Sequence, residues 1–72
     1  MGMVTVHGER FEYQFASDVT FDGIRLEVYC EDGTLSFDVS IPDGGRITIN
    51  TGGREADAEL IEAILEIARR PR

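Results

Sequence analysis

One histidine, one cysteine and fourteen carboxylates are the side chains here that could act as acid, base, nucleophile or metal ligand. A histidine–serine–acid triad needs the imidazole beside a nucleophile and held by a carboxylate. Ser17, Ser36 and Ser40 are available to His7, but none lies in the glycine-flanked turn that presents a nucleophilic serine. His7 follows Val6 in an apolar–polar alternation, which assigns it to solvent or to a turn. Cys30 instead continues the apolar series Ile24, Leu26 and Val28, where a thiol behaves as a small core residue. As the sole cysteine it excludes an intramolecular disulfide and a thiol-rich metal site.

The carboxylates have structural assignments. Asp32 and Asp43 read as turn residues, and Asp18 and Asp22 flank a turn or bulge. Glu55, Glu59, Glu62 and Glu66 recur at the spacing of a solvated helix stripe. A catalytic acid would need burial to shift its pKa, and none of these positions predicts burial. One histidine and one cysteine on separate strands do not make a zinc site, and Glu31-Asp32-Gly33 lacks the ligand spacing of a calcium loop. Gly52-Gly53 precedes a helical pattern, where backbone amides can meet an anion. Neither the lysine of a phosphate loop nor the dinucleotide fingerprint accompanies it, and Arg54 is the only cation nearby. The doublet reads as a connection. The expectation is a chain with no catalytic residues, no cofactor and no metal: not an enzyme.

Charge narrows the partners. Seven arginines, no lysine and fourteen acids give a net charge of −7. That balance opposes direct binding to a nucleic-acid backbone and docking on anionic membranes. It permits a basic protein partner. Of six aromatic residues only Tyr29 falls on the polar side of the strands, beside Arg25 and Arg46 but also Glu12, Glu27 and Asp38. That mixture is a solvated sheet face rather than a base-stacking platform. No apolar run approaches the roughly 20 residues that span a bilayer, and no basic-then-apolar leader opens the chain. With an unpaired cysteine, these features lead us to expect a cytoplasmic protein.

The elements that would position these groups follow from periodicity. At 72 residues, 42% of them apolar, the chain has room for one domain spanning 1–72. Period-two alternation runs through Val4–Val6, Phe11–Phe15, Val19–Phe21, Ile24–Cys30, Leu35–Ile41 and Ile47–Ile49, placing the strands within 3–50. A two-residue turn at Asp32-Gly33 pairs Cys30 with Leu35, Val28 with Phe37 and Leu26 with Val39. A three-residue loop at Asp43-Gly44-Gly45 sets Ile41 opposite Ile47 and Val39 opposite Ile49. Earlier in the chain two readings stand. Either Gly8-Glu9 is a tight turn pairing Val6 with Phe11, or Gly8 and Asp22-Gly23 are bulges in longer strands joined at Ala16-Ser17-Asp18. Beyond Gly53 the period changes, and Leu60, Ile61, Ile64, Leu65, Ile67 and Ala68 predict a helix over about 54–70, capped by Thr51 or Asp57. The fold class is α+β: an antiparallel β-meander of four to six strands, curved around a single C-terminal α-helix.

Width makes that curvature necessary. Five or six strands span roughly 24–29 Å, whereas one helix with its side chains covers about 10–12 Å. The sheet must curl, or two copies pair as a homodimer, or an apolar patch remains for a partner. Three functional readings follow. The leading one is a non-enzymatic, small acidic interaction protein that binds a macromolecular partner through the Glu55, Glu59, Glu62 and Glu66 stripe, or pairs with itself by burying leftover apolar surface. In size and charge alone it is similar to small acidic phage or bacterial proteins that block basic nucleic-acid-binding machines. The second is a de novo designed curved-sheet protein with no biological role, suggested by the matched registers and the dipole-ordered helix. The third is a small-ligand binder whose cavity between sheet and helix is lined by Tyr13 and Cys30.

Overall fold

In the computed structural model, which describes residues 1–17 and 22–71, the alternating segments form five antiparallel strands in simple meander order. They are β1 (Gly2–Val6), β2 (Glu9–Ser17), β3 (Gly23–Tyr29), β4 (Leu35–Pro42) and β5 (Thr48–Asn50). One helix, α1 (Ala58–Ala68), follows. The Val19–Phe21 alternation and the Asp18 junction lie outside the described residues.

The strand faces are as the alternation requires, and the turns differ in detail. The first turn is His7-Gly8 rather than Gly8-Glu9, so Val6 pairs with Glu9, Val4 with Phe11 and Gly2 with Tyr13. Both turn residues have positive φ, 51° at His7 and 78° at Gly8, the pair of values a two-residue type I′ turn demands. Histidine tolerates this region better than a β-branched residue would. The shifted register also sets a glycine opposite Tyr13, whose ring occupies the space a Cβ on Gly2 would take. Gly8 is therefore a turn residue, not a bulge, and Gly23 opens β3 opposite Pro42.

The β3–β4 loop is one residue longer than expected. The Cys30 carbonyl accepts from Gly33 N–H at 3.0 Å and Cys30 N–H donates to the Thr34 carbonyl at 2.9 Å, with Gly33 at φ 86°. Glu31-Asp32-Gly33 is thus a three-residue turn, and Cys30 faces Thr34 while Leu35 pairs with Tyr29. A register shift then restores Val28 opposite Phe37 and Leu26 opposite Val39, leaving Ser36 as the extra residue of a bulge. Leu35 consequently departs from the apolar row assigned to it and is 38% exposed. Asp32 fixes the turn: its Oδ1 accepts from the Thr34 hydroxyl at 2.7 Å and from Thr34 N–H at 3.0 Å. The β4–β5 register matches expectation, with Val39 opposite Ile49.

The helix starts at Ala58, four residues later than its periodicity suggested, because Asp57 is the cap. Its Oδ1 accepts from Glu59 N–H at 2.8 Å and Leu60 N–H at 3.2 Å. Leu60, Ile64, Ile67 and Ala68 form the buried stripe, packed on Phe11, Leu26, Val28, Phe37, Val39 and Ile41. The helix touches both β1 and β4, three strand spacings apart or about 14 Å in a flat sheet. A lid about 10–12 Å wide reaches both because the sheet bends around it.

Two outcomes test these local causes. Asp57→Ala removes the acceptor for two helix amides and should cost about 1 kcal/mol in a urea melt. The Thr34 hydroxyl, and then its amide, hold the Asp32 carboxyl below the ordinary aspartate pKa. A lowered folded-state pKa stabilises above the unfolded value, near pH 4, and that contribution fades as pH falls through the folded value. Thr34→Val should therefore raise the Asp32 midpoint in an NMR titration.

Candidate functional site

The acidic stripe expected on the helix is only partly on it. Glu59, Glu62 and Glu66 are exposed on the face opposite the buried Leu60, Ile64 and Ile67. Glu55 is exposed too, but precedes the Asp57 cap and belongs to the connection from β5. At the stripe's start the β1–β2 turn approaches, placing His7 Nε2 3.5 Å from Asp57 Oδ2 and 3.4 Å from Glu59 Oε2. His7 is thus a turn residue at the surface, as its alternation predicts, and it adjoins the helix N-terminus. At the far end Arg70 lies 3.8 Å from Glu66, an exposed pair worth about 0–1 kcal/mol.

Tyr13 and Cys30, the expected cavity lining, both pack at the margin of the core. The Tyr13 ring covers Gly2 and meets Phe15 edge-on, with centroids 6.4 Å apart. Cys30 is a half-buried free thiol. A shallow depression lies instead on the other side of the sheet, lined by Met3, Arg10, Glu12 and Glu31. Glu31 Oε1 accepts from Arg10 N–H there at 3.3 Å.

The glycine doublet does not present amides to an anion. Gly52 and Gly53 adopt positive φ in a turn, and Gly52 N–H donates to Asn50 Oδ1 at 3.1 Å. The helix begins five residues after Gly53, and two of its leading amides are taken by Asp57. Arg54 is committed elsewhere: its Nη2 donates to the carbonyls of Leu35 and Ser36 at 3.1 and 3.2 Å. A cation placed by the sequence near a possible anion site is in fact the clamp on the β4 bulge.

Sequence reasoning missed one buried acid. Asp38 faces away from the helix, yet is only 6% exposed. It sits mid-strand on the central β3–β4 pair, directly opposite Glu27 and next to Asn50 of β5. Its Oδ2 lies 3.7 Å from Arg25 Nη1, and its Oδ1 meets no hydrogen-bond donor among the described residues. The available signal was its central register between longer neighbours. Glu27 is better served, with Oε1 accepting from Gln14 Nε2 and from the Tyr29 hydroxyl, both at 3.0 Å. That bond to Glu27, then desolvation and the Glu27 charge, push the Tyr29 phenol up from its ordinary value.

Among the described residues no group of three or more His, Cys, Asp or Glu side chains is arranged to hold a metal ion. No helix among them is long and apolar enough to cross a membrane. Comparisons with protein-family models, with curated proteins and with solved structures gave no match for the chain.

The outer-face network has a spectroscopic consequence. Tyr29 should ionise above pH 10 in an alkaline absorbance titration, and Glu27→Gln should move that midpoint down. A raised folded-state pKa stabilises below the unfolded value and is lost as pH climbs through the folded one, so the window is strongly alkaline.

Proposed function

We propose that the protein is a non-enzymatic binding module that engages a basic surface of a macromolecular partner through the exposed carboxylates of α1. One observation carries this reading. Glu59, Glu62 and Glu66 project from the face opposite the buried Leu60, Ile64, Ile67 and Ala68. The core therefore fixes the backbone that presents them, over about 10 Å of helix. Glu55 and Asp57, both exposed, extend the negative charge past the helix start. The macrodipole places its positive end at Asp57 and Glu59, so these acids stabilise the helix as well as charging its surface.

A net charge of −7 steers the module toward positive potential and away from phosphate backbones and anionic membranes. A nucleic-acid-binding machine with a basic cleft is a partner of that kind, and blocking the cleft would be the outcome of binding. The half-buried, unpaired Cys30 is compatible with a reducing compartment such as the cytoplasm. Self-association is compatible as well, because strand β1 carries none of the acidic groups.

The test compares two variants of equal net charge. Each exposed pair is worth about 0.5 kcal/mol, so Glu59→Gln, Glu62→Gln and Glu66→Gln together should weaken binding to an arginine-rich peptide about tenfold. Neutralising the exposed Glu9, Asp22 and Asp43 instead should leave most of the affinity. Equal losses in a low-salt fluorescence titration would show that net charge alone governs binding and would remove the helix stripe as the contact.

A further inference from the structure

The open sheet has two edges, and they are built differently. The β5 edge is three residues long and pairs only with Asp38–Ser40. Beyond it, Arg54 covers the Leu35 and Ser36 carbonyls of β4. Short strands, a bulge and a basic side chain are the usual devices that stop an edge from pairing with another chain. The β1 edge is longer, at five residues, and has neither a bulge nor a basic side chain. Gly2-Met3-Val4-Thr5-Val6 contains no charge, no proline and no bulge.

Its hydrogen-bonding groups can be assigned. Val6 and Glu9 flank a two-residue turn and exchange both of their backbone bonds, so alternation directs the amides and carbonyls of Gly2, Val4 and Val6 to β2. Those of Met3 and Thr5 point outward. Met3 is also 53% exposed through its side chain, and Val4 is half-buried on the helix side.

We propose that β1 pairs antiparallel with β1 of a second copy of this chain, about a twofold axis at Val4, forming one continuous sheet. Met3 then lies opposite the partner's Thr5, and the outward amides and carbonyls of both satisfy each other. Val4 packs on the partner's Val4, covering half-exposed apolar surface on the side where the helix touches β1.

The edge is complementary to a second copy of itself: read antiparallel about Val4, it sets outward donors on outward acceptors and places no like charges opposite each other. On the outer face Glu12 stands behind Met3 and Arg10 behind Thr5. The antiparallel register therefore puts Glu12 and the partner's Arg10 at opposite ends of one row, and the twofold axis repeats the arrangement. The two stand three strand spacings apart, about 14 Å, so no ion pair forms between them, but no like charges meet across the uncharged seam. A seam of five residues is shorter than that of a standard interface of about 1,600 Å², so the dimer forms at high concentration and dissociates on dilution.

Sedimentation of the intact chain from about 10 µM to about 1 mM reads the outcome directly. The mass should rise from 8.0 kDa toward twice that value. Met3→Lys, which charges the edge, and Thr5→Pro, which removes one outward amide, should each weaken the association at least tenfold. In the unsubstituted protein, amide exchange at Met3 and Thr5 should slow with concentration, while Val4, already bonded to β2, should not change. A constant monomer mass overturns the proposal. So does a dimer in which both substitutions leave the association intact, or in which Met3 and Thr5 exchange at the same rate at every concentration.

Discussion

One apolar layer lies beneath a lid too narrow for it, and most of the architecture follows from that mismatch. In the cross-strand row Phe15, Leu26, Val39 and Ile49, the two central residues have no exposed surface, while the ends are 38% and 36% exposed. That gradient is what a helix laid over the middle of a wider sheet produces. Burial of Leu26, Val28, Phe37, Val39, Leu60 and Ile64 contributes about 1.5–3 kcal/mol per side chain, several times the worth of any surface ion pair here. Bending the sheet brings β1 against the helix, and with it the β1–β2 turn. His7 meets Asp57 and Glu59 as a result of that packing, not as its cause.

Because stability comes from the layer, the exterior can carry charge at little cost. The helix shows the division most clearly: Leu60, Ile64 and Ile67 are committed to the core, and Glu59, Glu62 and Glu66 to solvent. Asp38 is the exception. A buried carboxylate oxygen that meets no donor among the described residues, opposite a second carboxylate, is destabilising by the usual cost of an unsatisfied group. Gln14 and Tyr29 relieve Glu27, and Arg25 lies near Asp38, so the repulsion across β3–β4 is offset in part.

Periodicity made the strand faces, the meander, the two later hairpins and the helix stripe legible, because parity is a strict constraint wherever one face is buried. Turn positions were less so. His7-Gly8 and Gly8-Glu9 keep the same parity, and only the positive φ at His7 and the Tyr13 ring over Gly2 separate them. The Ser36 bulge was hidden for a related reason: a three-residue turn adds one residue and the bulge absorbs it, so the pattern beyond Phe37 shows neither. Leu35 alone records the difference. Of the site residues, the stripe was readable from spacing, except that Glu55 falls before a cap whose position depends on Asp57. The burial of Asp38 and the engagement of Arg54 with β4 depend on contacts across strands or between distant segments, which no local window contains.

Five strands are also too few to close. A barrel whose interior is filled by side chains needs about eight strands, so a curved sheet of this size keeps two edges whatever its sequence. The chain answers this at one edge by ending β5 after three residues and spending Arg54 on the carbonyls left over. That solution depends on the bulge, since the shifted register at Ser36 is where β4 continues beyond its last partner. At the other edge, β1 must accept Tyr13 over Gly2 on its inner side and touch the helix through the same short strand. A lysine pointing inward there would meet the core, and a bulge would move the turn that reaches Asp57. The packing that bends the sheet is therefore also what keeps β1 smooth, short and uncharged.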